Sequence, residues 1–184
     1  FARKVAAQAT VMKDQIGHYL DRARMAARAG TIGRVTEVKP VVESLVRALT
    51  RIYAEKGIAI AAECPAAARF QGEKQDLEEM LGNLLDNACK WASSRVSLVV
   101  EIAEPTSRGG RSRLVIEIDD DGPGLSDEAR AKLGKRGVRL DETKPGSGLG
   151  LSIVVDLAQS YRGSFRLDGS PMGGLGARLE LPAV

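Results

Sequence analysis

The chain has 184 residues and a mass of 19.6 kDa, which is enough for one substantial core plus a short extension. Its composition is 43% hydrophobic and 28% charged, and no apolar run approaches the ~18 residues that span a bilayer. The net charge of +3 is too balanced to indicate nucleic-acid binding. We therefore expect no nucleic-acid partner and no direct membrane contact within this stretch.

The two cysteines, Cys64 and Cys89, lack CxxC spacing, and His18 is the single histidine. This argues against a zinc site and is typical of a reducing compartment. The sequence begins on Phe1 without an initiator Met or a signal-peptide pattern, so we expect it to be part of a longer protein.

The first segment carries apolar residues at alternating spacings of four and three, which predict the seam of a coiled coil or helical bundle. These seam positions are Val5, Ala9, Met12, Ile16, Tyr19, Ala23 and Ala26. Because the seam is rich in alanine, we expect it to pack against another helix or a second copy. Gly30 and Gly33 follow, so we predict a helical domain over residues 1–30, a linker over 31–39, and a second domain over 40–184.

After Pro40 an amphipathic helix is predicted, with Gly57 as its C-terminal stop. Its apolar face comprises Val42, Leu45, Val46, Leu49 and Tyr53. The hydrophobic pattern then changes from helical spacing to the spacing of strands, and short strands are predicted at residues 58–60 and 68–70. A second helix is predicted to begin near Glu73.

Residues 75–91 carry two different stripes on this second helix. The apolar stripe comprises Leu77, Met80, Leu81, Leu84, Leu85, Ala88 and Ala92. The polar stripe comprises Glu79, Asn83, Asn87 and Lys90, at positions i, i+4, i+8 and i+11. Asparagine is a poor helix former, so two of them one turn apart indicate a function rather than a solvated surface.

Two strands are predicted at residues 95–102 and 113–119, and the second runs into the glycine cluster of residues 120–124 (DDGPG). A short helix at 126–132 and a charged loop at 133–145, which we expect to be mobile, come next. A second glycine cluster (GSGLG) then leads into a helix over residues 151–161.

A final hairpin is predicted from residues 164–167 and 177–181, around Gly173 and Gly174. This order of elements predicts an α+β fold, a two-layer α/β sandwich with the helices on one face of a mixed sheet. Glycines that lead into a helix N-terminus present free N–H groups and a partial positive charge, which suit phosphate. Either glycine cluster alone is a weak signal, because a lone DxGxG is more often an ordinary turn.

Taken together, the polar helix and both glycine clusters resemble the GHKL superfamily of ATP-binding domains, and within it the sensor histidine kinases. Residues 81–90 (LGNLLDNACK) are similar to the N box, residues 120–124 to the G1 box, and residues 146–150 to the G2 box, in the family order. The closest similarity is to the PhoQ-type subgroup, which residues 15–20 (QIGHYL), 86–90 and 136–141 (RGVRLD) also resemble.

The resemblance implies particular roles in binding ATP and Mg²⁺. Asn87 would bind Mg²⁺ through its amide oxygen, Asn83 would face the phosphates, and Lys90 would add positive charge there. Asp120 would accept a hydrogen bond from the adenine amino group, which suits a carboxylate. The remaining implied residues are Gly122 and Gly124 beside the base, Arg139 and Lys144 as cations of the loop, and Gly146, Ser147, Gly148, Leu149 and Gly150 around the phosphates.

Two features depart from the general pattern of the family. The aromatic F box is missing, since residues 133–140 contain no Phe, and members of the PhoQ-type subgroup share this feature. His18 is followed by Tyr19, Leu20 and Asp21 and lies between seam positions, unlike the phosphoacceptor motif of the family. We therefore expect His18 to be an exposed position of the second dimerisation helix, with the phosphoacceptor His on a helix that is missing from this chain.

The resemblance implies the catalytic domain of a two-component sensor histidine kinase, which transfers the γ-phosphoryl group of ATP to that His for relay to a response regulator. The parent protein would be a homodimeric inner-membrane sensor with this domain in the cytoplasm.

One alternative is a conformational ATPase of the gyrase, mismatch-repair or heat-shock chaperone type. Those relatives carry a water-activating Glu at the position of Asn83, and an amide cannot act as a base. Another is a non-catalytic nucleotide sensor or dimerisation module. The stimulus, the cognate response regulator and any phosphatase activity stay open.

Overall fold

The computed structural model describes residues 34–105, 110–132 and 150–184. The chain divides into two compact units, Phe1–Arg34 and Val35–Val184, and the second contains every element described here. In chain order the elements are β1 (Thr36–Glu37), α1 (Val38–Ile52), β2 (Ala59–Glu63), β3 (Arg69–Phe70), α2 (Lys74–Trp91), β4 (Arg95–Ala103), β5 (Arg113–Asp120), α3 (Asp127–Lys132), α4 (Gly150–Ser160), β6 (Ser164–Gly169) and β7 (Leu175–Pro182).

A five-stranded mixed sheet forms one layer, in the order β2-β4-β5-β7-β6. Strand β2 pairs with β4 in parallel, and the other neighbours are antiparallel. A separate two-stranded sheet joins β1 to β3 through the pair Thr36 and Phe70. The mixed sheet and the α+β class agree with the prediction from the sequence.

The hydrophobic core lies between this sheet and the helices. Alternate residues of the central strands point into it, as expected for a sheet with one covered face. They include Val96, Leu98, Val100, Leu114, Ile116, Ile118, Leu179 and Leu181, which are all buried. Helix α2 contributes Leu77, Leu81 and Leu85, none of which is exposed, and it contacts both α1 and α4. The two-layer sandwich of the prediction is therefore confirmed.

Partly buried polar contacts join the N-terminal end of α2 to the C-terminal end of α4. The hydroxyl of Tyr161 donates to Asp76 at 2.5 Å and accepts the N–H of Glu73 at 3.2 Å. The Tyr161 ring also meets Phe70 edge to face, with centroids 4.8 Å apart. Asp76 is the third residue of α2, where negative charge is favourable. These contacts set how α4 lies along α2.

Several element boundaries differ from those expected. Helix α1 begins two residues before Pro40, and its last residue is Ile52. The predicted stop at Gly57 is therefore wrong, since Gly57 belongs to the following turn, where its φ is +69°. Strand β1 and the start of α1 fall within residues 31–39, the predicted linker. The reason is a long-range contact, because β1 pairs with β3 and Thr36 donates to Gly72 O at 2.7 Å.

The predicted helix of residues 1–30, the segment 133–145 and residues 146–149 lie outside the described part of the chain. Of the helices that are described, none has the length and apolar character that crossing a membrane requires.

The Tyr161→Phe substitution tests the contact between α2 and α4. It removes a hydroxyl that bonds Asp76 and Glu73, so the free energy of unfolding should fall by about 1–3 kcal/mol. Urea unfolding followed by circular dichroism measures the change. Ser164→Ala on the exposed edge of β6 is the control and should stay within about 0.5 kcal/mol of wild type. Equal stability of Tyr161→Phe and wild type would contradict this role.

Candidate functional site

The polar stripe of α2 meets the start of α4 at Asn83. The Asn83 amide donates from Nδ2 to the carbonyl oxygen of Glu79 at 2.8 Å. Its oxygen faces Gly150, where a Cβ atom would lie 2.8 Å from Oδ1 of Asn83. Only a residue without a side chain fits there easily. The end of the predicted G2 box is therefore in contact with the predicted N box.

Asp120, the last residue of β5, is buried with 3% of its surface exposed. Its Oδ1 accepts the N–H of Gly122 at 2.8 Å and the N–H of Leu175 at 3.2 Å. Burial raises the pKa of this carboxyl group, while the two backbone N–H groups oppose the rise. Within the described residues both backbone donors reach Oδ1, and neither bond uses Oδ2.

The turn between β6 and β7 forms a wall beside Asp120. The N–H of Gly174 donates to the carbonyl oxygen of Asp120 at 3.2 Å. A Cβ atom on Gly174 would lie 2.1 Å from Oδ1 of Asp120 and 2.4 Å from its backbone oxygen. Gly124, with a φ of +65°, faces the carbonyl oxygens of Gly173 and Gly174. The hairpin of β6 and β7 thus borders the candidate site at Asp120, which the sequence did not indicate.

Asp121 holds the turn that connects α2 to β4. Its Oδ1 accepts the N–H groups of Ser93 and Ser94, both at 2.9 Å, and of Arg95 at 3.0 Å. Its Oδ2 accepts the hydroxyl of Ser94 at 2.6 Å. The N–H of Arg95, followed by the Ser94 groups, holds the pKa of Asp121 well below its ordinary value.

Lys56 binds backbone carbonyl oxygens at the C-terminal end of α2, next to the N–H groups that Asp121 binds. Its Nζ donates to the carbonyl oxygens of Cys89 at 2.9 Å, Lys90 at 2.7 Å and Ala92 at 2.8 Å. A cation suits this position, because the carbonyl groups at a helix C-terminus carry partial negative charge. The Trp91 carbonyl also lies against Gly122, where a Cβ atom would be 2.4 Å from that oxygen.

A third contact joins α1 to the polar side of α2. The hydroxyl of Tyr53 donates to Oδ1 of Asp86 at 2.7 Å, and Lys90 pairs with Oδ2 of Asp86 at 2.5 Å. Burial, followed by the bond to Asp86, raises the pKa of Tyr53. The ammonium group of Lys90 is thereby held on the half-buried polar side of the helix.

The structure describes only some of the predicted site residues. Asn83, Asn87 and Lys90 lie on α2, Asp120 ends β5, and Gly150 begins α4. Gly122 and Gly124 lie in the turn after β5. The predicted residues outside the described part are Arg139, Lys144, Gly146, Ser147, Gly148 and Leu149.

The side chains of α2 fit a magnesium ion that is held together with phosphate. Among residues 34–105, 110–132 and 150–184 no cluster of three His, Cys, Asp or Glu side chains could hold a metal by itself. The amides of Asn83 and Asn87 are half-buried on one side of α2. Amide oxygen is a ligand for Mg²⁺, which usually keeps waters and substrate phosphate in its coordination shell.

The contacts of Tyr53, Lys56, Asp121 and Gly174 around the candidate site were not predicted from the sequence. Asp121 lies inside the motif of residues 120–124. The only local sign that its role differs from that of Asp120 is that neighbouring residues at a strand end point to opposite sides. Lys56 precedes the turn glycine Gly57 and resembles any solvated lysine. The partners given above for both residues are mostly backbone atoms and lie at least 26 positions away along the chain, so no local pattern reveals them.

The geometry agrees with comparisons to known proteins. The family described as "Histidine kinase-, DNA gyrase B-, and HSP90-like ATPase" matches residues 72–184, which include the whole of α2 and all later elements. The chain therefore belongs to this ATPase family and has the GHKL fold.

Its relatives include sensor proteins. The "Sensor protein PhoQ" of Escherichia coli (strain K12) is 35% identical over 176 residues, which are 95% of this chain and 34% of that protein. The "Virulence sensor histidine kinase PhoQ" of Salmonella typhimurium (strain LT2) is 34% identical over 175 residues, with the same coverage. The chain thus spans about a third of the length of these curated relatives.

Solved structures, among them that of a sensor histidine kinase, share the fold. The "Mycobacterial sensor histidine kinase MprB" is 26% identical, with a TM-score of 0.65, and the match covers 82% of this chain and 97% of that chain. Full-length ShkA in complex with AMPPNP is 25% identical, with a TM-score of 0.69, and the match covers 95% of this chain and 36% of that chain.

The Gly174→Ala substitution tests the wall beside Asp120. Since the new Cβ would meet Oδ1 and the backbone of Asp120, the carboxylate should be displaced and the affinity for ATP should fall at least about tenfold, or ~1.4 kcal/mol. Isothermal titration calorimetry measures it. Gly82→Ala is the matched control, because its Cβ meets no atom closer than 3.8 Å and alanine favours helix. Unchanged ATP affinity in Gly174→Ala would show that the wall is not part of the site.

The Asp121→Asn substitution tests the turn through its pH dependence. The folded-state pKa of Asp121 lies below the unfolded value, so its stabilisation is fully present above about pH 4 and is lost as pH falls through the folded pKa. The difference in unfolding free energy between wild type and variant should therefore narrow as pH falls from about 5 to about 3. Urea unfolding across this range checks it.

Asp168→Asn is the control for this pH series. Asp168 is exposed and pairs with Arg166 on β6, so its loss should change stability by less than about 1 kcal/mol at neutral pH. An Asp121→Asn difference that stayed constant down to about pH 3 would contradict the assigned cause of the low pKa.

Proposed function

We propose that the chain is the ATP-binding catalytic domain of a sensor histidine kinase. It transfers the γ-phosphoryl group of ATP to a histidine on the phosphoacceptor helix of its own parent kinase. The observation that carries this proposal is the amide of Asn83 at the contact between α2 and Gly150. An amide at this position can orient phosphate but cannot remove a proton from water. The 35% identity to a sensor protein over 95% of the chain supports the same interpretation.

In this proposal the base of the nucleotide binds beside Asp120. The Oδ2 atom of its carboxylate accepts a hydrogen bond from the adenine amino group, while Oδ1 stays bonded to Gly122 and Leu175. Gly122 and Gly124 allow the base to approach the backbone. Burial makes the interaction specific, because a buried acceptor that loses its donor is costly.

The phosphates lie along the polar side of α2. Asn83 orients them at the N-terminus of α4, and Lys90, held by Asp86, adds positive charge. Asn87 would hold Mg²⁺, which when bound neutralises phosphate charge and orients the transferred group. Arg139, Lys144 and the glycine cluster of residues 146–150 complete the phosphate site in this proposal.

The partners and the location of the parent protein follow from this function. The parent protein is a homodimeric membrane sensor with this domain on the cytoplasmic side, and the phosphoryl group passes from histidine to an Asp of a response regulator. Support comes from the sensor kinases among the relatives. His18 is not the acceptor in this proposal.

The Asn87→Ala substitution tests the metal and phosphate site. Calorimetry with ATP and Mg²⁺ should show an affinity at least about tenfold below wild type, or ~1.4 kcal/mol. Removing Mg²⁺ with EDTA should lower the affinity of wild type for ATP and leave the affinity of the variant nearly unchanged. Gln75→Ala is the matched control, since it removes an exposed amide from the first turn of the same helix. Wild-type affinity in Asn87→Ala would refute the assignment of Asn87.

Phosphotransfer distinguishes the kinase from a conformational ATPase. The chain, incubated with labelled ATP and an added phosphoacceptor helix pair, should produce acid-labile label on the helix pair, slowly because the two parts are not tethered. Hydrolysis of ATP by the chain without the helix pair should be slower than this phosphotransfer. Rapid hydrolysis with no transfer would favour the ATPase interpretation, and label on His18 would overturn the assignment of the acceptor.

A further inference from the structure

One turn of backbone is held from both sides by opposite charges. The turn runs from the last residues of α2 to the first residue of β4, over residues 89–95. Lys56 donates to three of its carbonyl oxygens, and the carboxylate of Asp121 accepts three of its N–H groups. Charge-assisted bonds of this kind are stronger than bonds between neutral groups. The position of the turn is therefore strongly determined.

This turn lies between the two halves of the proposed nucleotide site. On one side it continues α2, with Asn83, Asn87 and Lys90, which we name the phosphate face. On the other side it touches the turn after β5, whose residues Asp120, Gly122 and Gly124 we name the adenine segment. Asp121 lies in the same turn but bonds residues 93–95, and the backbone of Gly122 lies against the Trp91 carbonyl of α2. A shift of the turn would change the distance between the phosphate face and the adenine segment.

We propose that Lys56 and Asp121 are positioning residues that set the separation between the phosphate face and the adenine segment. Neither has to touch the nucleotide. The inference rests on the proposed function, since it takes ATP as a ligand that spans both halves. Lys56 comes from the turn after α1, so a third part of the chain fixes how the two halves face each other.

A ligand that spans two halves of a site is sensitive to their separation in a way that smaller ligands are not. When the halves are held at the right distance, binding of one end of ATP presents the other end at high effective concentration. If the turn loosens, ATP must order it again on binding, and that cost reduces affinity. Adenosine reaches only the adenine segment, and magnesium tripolyphosphate only the phosphate face. Both should bind almost as before.

The test compares these three ligands on four chains by calorimetry and NMR titration. The chains are wild type, Lys56→Met, Lys56→Arg and Asp121→Asn. In Lys56→Met and Asp121→Asn the affinity for ATP should fall at least about tenfold, while adenosine and magnesium tripolyphosphate change by less than about threefold. Lys56→Arg keeps a cationic donor and should recover most of the affinity for ATP.

Thr36→Val is the control for a general loss of stability. Thr36 donates to Gly72 O at the opposite end of α2, and its removal should lower stability without changing the affinity for ATP. Titrations are done under conditions in which circular dichroism shows that every variant is folded. If Lys56→Met does not fold, Lys56→Arg and Asp121→Asn still test the inference.

Two results overturn the inference. One is a loss of affinity in Lys56→Met or Asp121→Asn that is equal for ATP, adenosine and magnesium tripolyphosphate, because that would indicate general damage. The other is an unchanged affinity for ATP in both variants. A separate outcome is that wild type does not bind ATP, or that its affinity for ATP does not depend on Asn87 and Asp120. That outcome would refute the proposed function and with it this inference.

Discussion

Burial of the Asp120 carboxylate imposes the constraint on which the rest of the site depends. A carboxylate with 3% exposure needs donors, and here they are backbone N–H groups of Gly122 and Leu175. For both backbones to come so close, the neighbouring residues must lack side chains, which explains Gly122 and Gly174. One buried acceptor thus determines the turn after β5, the hairpin between β6 and β7, and the surface left for a ligand.

Helix α2 connects this buried acceptor to the rest of the domain. Its apolar side fills the core, and its polar side carries Asn83, Asn87 and Lys90. Each end is held by side chains from other elements: Tyr161 bonds Asp76 near the start, and Lys56 bonds the carbonyl groups at the end. A helix held at both ends cannot slide or rotate easily, so polar groups on its surface keep their positions without a ligand.

The same fold supports different chemistries within one family, and the choice depends on few residues. In this chain an amide occupies the position next to Gly150, with its nitrogen bonded to the Glu79 carbonyl. An amide cannot remove a proton from water, so under the proposed function Asn83 orients phosphate and does not act as a base. The functional group at this one position, an amide or a carboxylate, therefore decides whether it can activate water.

The sequence by itself determined most of the secondary structure and the residues of the three motifs. Hydrophobic periodicity and glycine clusters are local signals, so α2, β4, β5, α4 and the last hairpin could be predicted within a residue or two. Recognition of Asn83, Asn87, Lys90 and Asp120 needed the motifs in family order. Strand β1 within the predicted linker could not be predicted, because its pairing with β3 is a long-range contact.

Only the tertiary structure decided how the motifs are held in relation to each other. Lys56, Asp121 and Tyr53 act on backbone or side chains at least 26 positions away, and Gly174 must be glycine because of Asp120, 54 positions earlier. Such partners are brought together by the packing of helices on the sheet. A local pattern depends on a residue and its immediate neighbours in the chain, whereas a hydrogen bond between distant segments depends on the path of the whole chain between them.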